Sequence, residues 1–187
     1  MKTHFRKASG LDAGKIAMLV NRAYRPLASE RGWTHEANLV SGQRTTDEQV
    51  LSLFHARSTI LVFCLDSDIA ACVHVKCSDS FAEIGMLATD PDRQMQGLGK
   101  QILSCAEQYA LEHFGSIAFK MSVLSSRSEL IAFYERRGYA RTGEIASYPV
   151  SAGIGEPMVD GLVVELMVKK LASTSYQFDN QPNGSPQ

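Results

Sequence analysis

The stretch from residue 82 to residue 109 constrains the fold most, because it reads as a strand, a glycine-containing turn and a helix in succession. Residues 82–89 form a short apolar run typical of a strand, and the turn that follows is opened by Pro91 and closed by Gly97 and Gly99. The apolar residues that come next recur at helical spacing: Leu98, Ile102, Leu103, Ala106 and Tyr109. This spacing places one face of the helix on a sheet, which favours an α/β fold.

The turn itself is a candidate anion site. N–H groups in the first turn of a helix lack intrahelical partners, and the helix dipole adds a partial positive charge there. Gly97 and Gly99 have no Cβ, so a diphosphate can approach the backbone. A Walker loop needs Ser or Thr after Lys100, where Gln101 stands, and a Rossmann fingerprint needs glycine at Ile102. Neither nucleotide-binding motif fits.

Two motifs match a known family. The pattern Gln94-x-x-Gly97-x-Gly99 resembles the loop that binds the acetyl-CoA diphosphate in the GNAT family of N-acetyltransferases. Downstream, residues 133–139 resemble the family's Phe-Tyr-x-x-x-Gly-Phe segment, in which a helix ends at a glycine and a strand begins. With two ordered matches at a family-like separation, the chain is identified as a member of this family over roughly residues 6–171.

Length and charge limit the other possibilities. The 187 residues predict one domain, and 19 basic against 20 acidic side chains leave no electrostatic footprint for nucleic acid or an anionic membrane. No apolar run reaches the roughly 20 residues of a membrane span, and the N-terminus lacks a signal-peptide pattern. The four cysteines show no metal spacing: Cys64, Cys72, Cys77 and Cys105. We expect a cytoplasmic protein with free thiols and no metal.

The predicted elements follow the order β-α-α-β-β-β-α-β-α-β-β within a single domain, residues 1–171. The resemblance implies the GNAT fold, a mixed and mostly antiparallel central sheet flanked by helices. In that fold the fourth and fifth strands splay apart and leave a cleft for the cofactor. Residues 172–187 have little apolar content, so we expect a disordered C-terminal tail.

The resemblance also implies that acetyl-CoA is the acetyl donor. The glycine loop would hold the diphosphate, and a bulge in the preceding strand would leave backbone N–H groups free for the pantetheine arm and the acetyl carbonyl. The predicted contacts are Met86, Leu87, Ala88, Thr89, Gln94, Met95, Gln96, Gly97, Leu98, Gly99 and Lys100. The alternative is an ordinary buried strand followed by a turn.

Two residues occupy catalytic positions of the family. Tyr134 stands at the position of the general acid, where a phenol of pKa ~10 can protonate a departing thiolate; the alternative is a core aromatic. Glu83, fourteen positions before Gly97, matches the strand glutamate that serves as general base in the histone-modifying branch. Its small or apolar neighbours predict a partly desolvated carboxylate with a raised pKa, and the alternative is a solvated charge. The base of another branch is replaced by Ser122.

Arg127 departs from the family pattern, because many members have Asn here to bond the pantetheine arm and Arg cannot accept a hydrogen bond. It could pair with phosphate, cap the loop or remain solvated, and we favour the last two. The resemblance places the acceptor wall on the segment that carries Tyr24, Trp33, His35, Glu36 and Arg44. Trp33 could instead anchor this segment to the core.

The sequence therefore predicts an N-acetyltransferase that moves acetyl from acetyl-CoA to a primary amine of a small molecule or peptide, as a monomer or homodimer. The motifs contain no cysteine, so direct attack is expected and not an acyl-enzyme. One alternative is a catalytically silent acyl-CoA-binding module that acts through partner contacts. A nucleotide-binding P-loop domain is a more distant alternative.

Overall fold

The computed structural model describes residues 3–26, 35–94 and 96–171. The main strands are β1 (Thr3–Lys7), β2 (Ser58–Leu65), β3 (Asp68–Ser78), β4 (Phe81–Thr89), β5 (Ala118–Leu124), β6 (Ala140–Ser147) and β7 (Val163–Lys170). The helices are α1 (Ala13–Tyr24), α2 (Asp47–Ser52), α3 (Leu98–Phe114) and α4 (Ser128–Glu135). The predicted order of elements is confirmed, whereas the predicted tail lies outside the described residues.

The seven main strands form one sheet in the order β1-β2-β3-β4-β5-β7-β6, and every neighbouring pair is antiparallel except β4 and β5. That parallel pair is joined over three residues only, from Phe81↔Ala118 to Glu83↔Lys120. Beyond Glu83 the two strands no longer pair with each other. The splay between the fourth and fifth strands that the family resemblance implied is therefore confirmed.

Helices cover both faces of the sheet. A cluster that includes Ile102 and Leu103 of α3 and Ile131 of α4 fills one side. A second cluster, with Ile16 and Val20 of α1, fills the other. These apolar residues recur at the helical spacing seen in the sequence, so burial of one stripe per helix explains the layers. None of the helices in the described ranges is long and apolar enough to cross a membrane.

Two short strands are not predicted from the sequence. Val40–Ser41 pairs antiparallel with Glu156–Pro157, which joins a segment before α2 to the loop before β7. A small apolar cluster of Val40, Leu124 and Tyr148 supports this contact. The two segments are far apart in the chain, and together they build one wall of the site described below.

The helical spacing of Val50, Leu51 and Phe54 in the sequence predicts a helix over residues 46–57, and helix α2 is shorter than that. It begins at a capping box formed by Thr46 and Gln49, as such pairs predict, and ends at Ser52. The chain then turns, because the Arg57 carbonyl accepts a hydrogen bond from the Cys77 N–H at 2.8 Å and thereby extends the ladder with β3. Sheet pairing overrides the helical spacing in this segment.

Candidate active site

A bulge interrupts β4 where it leaves its parallel neighbour. The register with β3 passes from Cys72↔Ala88 to His74↔Gly85, so one extra residue lies on β4. Met86 takes up the distortion with φ of 49°, a left-handed conformation that is rare for a residue with a side chain. A bulge leaves ladder groups unpaired, and the bulge residues Met86 and Leu87 line the cavity between β4 and β5 described below.

The bulge also changes which face of the sheet each residue meets. Ala82 and Ile84, before it, belong to the cluster under α3. Met86 and Ala88, after it, belong to the cluster under α1. Leu87 returns to the α3 side. Regular alternation would have put residues 82, 84, 86 and 88 on one face, so the backbone geometry here differs from an ordinary strand.

The glycine turn ends at the first residue of α3. Gly97 is the N-cap with φ of 78°, and it offers no side-chain oxygen to the first-turn N–H groups of this 17-residue helix. Those groups are therefore available to an anion, as the sequence predicts. A Cβ on Gly99 would lie 3.7 Å from both Phe133 and Thr89, an ordinary contact, so Gly99 keeps the loop open without being sterically indispensable.

A cavity of about 350 Å³ lies between this turn, β4 and α4. The charged side chains of its lining are Lys100, Arg127 and Arg137, and no carboxylate among the described residues lines it. Arg137 stacks on the ring of Phe133 at 3.4 Å from the centroid. Sequence reasoning treated residues 133–139 only as the end of a helix, and it missed Arg137 as part of this site. A helix N-terminus in one lining with Lys100 and Arg137 fits a diphosphate.

Most of the predicted cofactor contacts line this smaller cavity: Leu87, Ala88, Thr89, Gln94, Gly97, Leu98, Gly99 and Lys100. Met86 does not; it lines a second, larger cavity. The exposed Gln96 lines neither of the two, and Met95 lies outside the described residues. The loop and strand are thus brought together largely as predicted.

The larger cavity, about 620 Å³, occupies the space between the splayed strands. It adjoins the smaller one, and the two linings have five residues in common, which form a shared wall: Tyr24, Leu87, Arg127, Leu130 and Tyr134. Ligands in the two cavities would therefore lie next to each other at this wall. The bulge residue Leu87 and the hydroxyl-bearing Tyr134 both lie at that junction.

Tyr134 is 6% exposed and packs at the end of α4 against Phe133 and Tyr139. Burial raises the pKa of its hydroxyl well above the ordinary value, and the nearby Arg127 and Arg137 offset only part of this effect. The phenol therefore stays protonated at neutral pH. Within the described ranges its hydroxyl forms no hydrogen bond, so the proton can be donated to a ligand at the junction.

Glu83 lines the larger cavity near the point where β4 and β5 are still paired. Its side chain is 50% exposed and its carboxylate lies 3.7 Å from the Lys76 ammonium. Ala82 and Ile84 belong to the cluster on the opposite face of the sheet, so these apolar sequence neighbours do not desolvate the carboxylate as predicted. Ser122 also lines this cavity.

His74 was missed by sequence reasoning and lines the larger cavity opposite Gly85. Its Nε2 lies 2.7 Å from the hydroxyl oxygen of Ser58, and this hydroxyl donates its single proton to the Leu53 carbonyl at 2.6 Å. Nε2 must therefore carry a proton and donate, which leaves Nδ1 as an acceptor. Burial lowers the pKa of His74 to about 4, so the ring is neutral at physiological pH.

A buried ion network crosses the wall next to Tyr24. The Glu36 carboxylate is 2.9 Å from Arg25 and 3.8 Å from Arg127. Arg25 also donates to the carbonyls of Gly42 and Ile154. The Arg127 side chain is 10% exposed, so its interpretation as a solvated charge is wrong. Its burial follows from Glu36, which no local pattern links to it.

The predicted acceptor residues are only partly brought together. Tyr24 and Glu36 line the larger cavity, whereas His35 lines neither cavity and accepts a hydrogen bond from the Ala37 N–H at 3.4 Å. Trp33 lies outside the described residues. No group of three or more potential metal ligands occurs within residues 3–26, 35–94 and 96–171.

Comparison with known proteins adds to this geometry. A family model described as an acetyltransferase (GNAT) domain matches residues 56–141, which include β4, the glycine turn, α3 and α4. No curated protein matches the sequence significantly.

Many solved structures share the fold. One is the ribosomal-protein-S18-alanine N-acetyltransferase from Escherichia coli, 19% identical with a TM-score of 0.67 over 94% of this chain and 98% of that one. The PaiA N-acetyltransferase from Thermoplasma acidophilum in complex with coenzyme A is 19% identical, with a TM-score of 0.70; the match covers 91% of this chain and 99% of that one. YncA from Salmonella typhimurium, a putative acetyltransferase with its cofactor acetyl-CoA, is 18% identical, with a TM-score of 0.64; the match covers 100% of this chain and 99% of that one.

Proposed function

We propose, from the premise that this chain belongs to the GNAT acetyltransferase family, that it transfers the acetyl group of acetyl-CoA to a primary amine. The observation that carries the proposal is the meeting of two cavities at one wall that contains Tyr134. The smaller cavity suits the donor and the larger one the amine. A module that only binds acyl-CoA has no need for a second cavity that opens onto the same wall.

The donor is assigned to the smaller cavity on the basis of charge. A diphosphate beside Gly97 and Gly99 would accept hydrogen bonds from the first turn of α3, with Lys100 and Arg137 as counter-charges. The arm that carries the thioester would then extend along the bulge at Leu87 towards Tyr134. Two relatives with the same fold are described with coenzyme A or acetyl-CoA, which supports this assignment.

Acetyl transfer by direct attack requires two proton movements. The amine nitrogen forms a bond to the thioester carbonyl carbon and loses one proton, and the carbon–sulfur bond then breaks. We assign to Tyr134 the donation of a proton to the departing sulfur, because burial keeps its hydroxyl protonated and leaves it at the junction. Solvent then returns a proton to the phenolate.

We assign to Glu83 the acceptance of the amine proton through water. Its carboxylate lines the cavity for the amine and is half-exposed, so water can connect the two. The neutral His74 lines the same cavity, and its unprotonated Nδ1 can accept a hydrogen bond from an N–H group there. We assign His74 to holding the amine and not to removing its proton, because burial disfavours the imidazolium cation that proton removal would create.

The experiment is a panel of amines incubated with acetyl-CoA, scored for coenzyme A release and for the mass of the acetylated product. Release that depends on both the amine and Tyr134 supports the proposal. Acetyl-CoA binding without product for any amine would favour the silent binding module, and a melting-temperature rise with ATP alone would favour a nucleotide-binding domain. The four cysteines are free, which supports the cytoplasm as the proposed compartment.

A further inference from the structure

We propose that the acceptor of this enzyme is a small amine that also carries a carboxylate, and that Arg44 binds this carboxylate. The inference rests on the proposed function, because it assigns a substrate class to the larger cavity. It is carried by the position of Arg44, by its lack of an ion-pair partner among the described residues, and by the charge balance of the cavity wall.

Arg44 is held in place on the wall of the larger cavity. Its guanidinium carbon lies 5.1 Å from the centroid of the Tyr24 ring. Its backbone N–H donates to the side-chain oxygen of Asn21 at 2.6 Å, and Asn21 also bonds both backbone groups of Thr45. The residue is therefore anchored to α1. Arg44 lines the larger cavity and not the smaller one, so it is not available to the donor.

Unlike the neighbouring Arg25 and Arg127, Arg44 has no carboxylate partner among the described residues. Arg25 and Arg127 both contact Glu36. No carboxylate in the described part of the chain lies within 4.0 Å of Arg44. A guanidinium that faces a cavity with its fork of donors unused is suited to a planar carboxylate ligand, which it can bind through two parallel hydrogen bonds.

The charge balance of the wall supports an anionic ligand. The two carboxylates that line the cavity, Glu36 and Glu83, are each paired with a cation outside the lining, Arg25 and Lys76. The lining itself contributes three cations, Arg44, Lys120 and Arg127, against these two carboxylates, and both carboxylates are already paired. Such a wall attracts an acidic ligand and disfavours a polyamine, which carries only positive charge.

The distance between Arg44 and the reaction junction limits the size of the acceptor. One side chain, Tyr24, separates them, since its ring touches Arg44 on one side and it lines the shared wall with Tyr134. The amine at the junction and the carboxylate on Arg44 are therefore separated by this one side chain, and probes of different chain length measure the spacing.

The test compares amino acids with their carboxamides, which keep the amine and the size but lose the negative charge. The probes are L-α-amino acids, β-alanine and 4-aminobutyrate with the matching amides. We expect at least one acid to bind the coenzyme A-saturated protein at least tenfold more tightly than its amide in calorimetry. Arg44→Gln should weaken binding of that acid by about 10–100-fold and change binding of the amide by less than about threefold.

Arg136→Gln serves as the matched control, because Arg136 is exposed at the end of α4 and lines neither cavity. Its acid-to-amide ratio should equal that of the wild type, and acetyl-CoA affinity should be unchanged in both variants. The inference would be overturned if acids and amides bound equally well, or if no acid bound. It would also be overturned if the acid-to-amide affinity ratio were unchanged in Arg44→Gln. Absence of acetyl transfer to every amine would refute the proposed function instead, since the binding measurement requires no turnover.

Discussion

The two cavities differ in how the chain builds them. The smaller one is lined mostly by two continuous stretches, the end of β4 with the glycine turn and the helix α4. The larger one collects residues from nearly every part of the described chain, from Tyr24 on α1 to Leu166 on β7. A site built from adjacent residues can be recognised as a motif, whereas a site assembled from distant segments has no sequence signature.

Their charges differ in a parallel way. Among the described lining residues, the smaller cavity has cations without carboxylates, which fits one fixed anionic ligand. In the larger cavity both carboxylates are paired across segments, so the charge available to a ligand depends on tertiary contacts such as Arg25 with Glu36. The donor site is thus determined locally and the acceptor site globally. Substitutions that affect only one cavity, or the wall between them, test this contrast.

The largest effect is expected at the shared wall. Tyr134→Phe keeps the ring and removes only the proton, so kcat should fall by about 10²–10⁴-fold while acetyl-CoA affinity changes little. Tyr139→Phe is the control, because the Tyr139 hydroxyl bonds Glu107 at 2.9 Å and lines neither of the two cavities. Near wild-type kcat for Tyr134→Phe, with chemistry shown to be rate-limiting by single-turnover kinetics, would leave Tyr134 as packing.

The next effect separates the smaller cavity from the larger one. Gly99→Glu places a carboxylate at the helix N-terminus and should weaken acetyl-CoA binding by about 100-fold or more, as measured by calorimetry. Gly99→Ala is the control, since its Cβ would make only ordinary contacts with Thr89 and Phe133. The fold should survive both changes by circular dichroism. Equal affinities for the two variants would remove the loop from the donor site.

His74 reports on the desolvation of the larger cavity. Its pKa is about 4 in the folded chain and about 6.5 when unfolded, so between these values the unfolded state binds a proton that the folded state does not. Acidification from pH 7 to pH 5 should therefore reduce the free energy of unfolding by roughly 2 kcal/mol through this residue.

In His74→Gln the side-chain amide can still donate a hydrogen bond to Ser58. The decrease in the free energy of unfolding between pH 7 and pH 5 should be smaller in this variant than in the wild type, by the roughly 2 kcal/mol assigned to His74. Urea titrations at the two pH values measure it. His113→Gln, on the exposed end of α3, should keep the wild-type pH dependence. If His74→Gln keeps it as well, the imidazole is not desolvated as described.

The smallest effect is expected at Glu83. Because its carboxylate is half-exposed and acts through water, Glu83→Gln should lower kcat/KM by about tenfold, below the range of a directly positioned base. Acetyl-CoA affinity, measured by calorimetry, should stay constant. A kcat/KM of Glu83→Gln equal to that of the wild type, with chemistry shown to be rate-limiting, would exclude Glu83 as the base.

Several features could be predicted because they depend on neighbouring residues. The spacing of apolar residues defined α1 and α3, and the glycines located the turn before α3. Residues 133–139 were predicted to end a helix at their glycine, and Gly138 has the left-handed φ of 88° that such an end favours. Periodicity and steric demands of the backbone act over a few residues, so the sequence contains them directly.

Other features were decided by the tertiary structure. The sequence predicted a Glu83 partly desolvated by Ala82 and Ile84, but these neighbours lie on the other face of the sheet and the carboxylate is half-exposed. It favoured a solvated or loop-capping Arg127, which is buried beside Glu36. Arg25 and His74 were not predicted at all. Arg25 donates to the Ile154 carbonyl, 129 positions away in the chain, and His74 bonds Ser58 across two strands.

The order of elements and the donor loop were therefore determined by the sequence alone. The chemistry of the acceptor cavity was decided by which distant segments the fold brings into contact. The physical reason is that exposure and ion pairing depend on the arrangement of charges and water in space, which the order of residues along the chain specifies only through the complete fold.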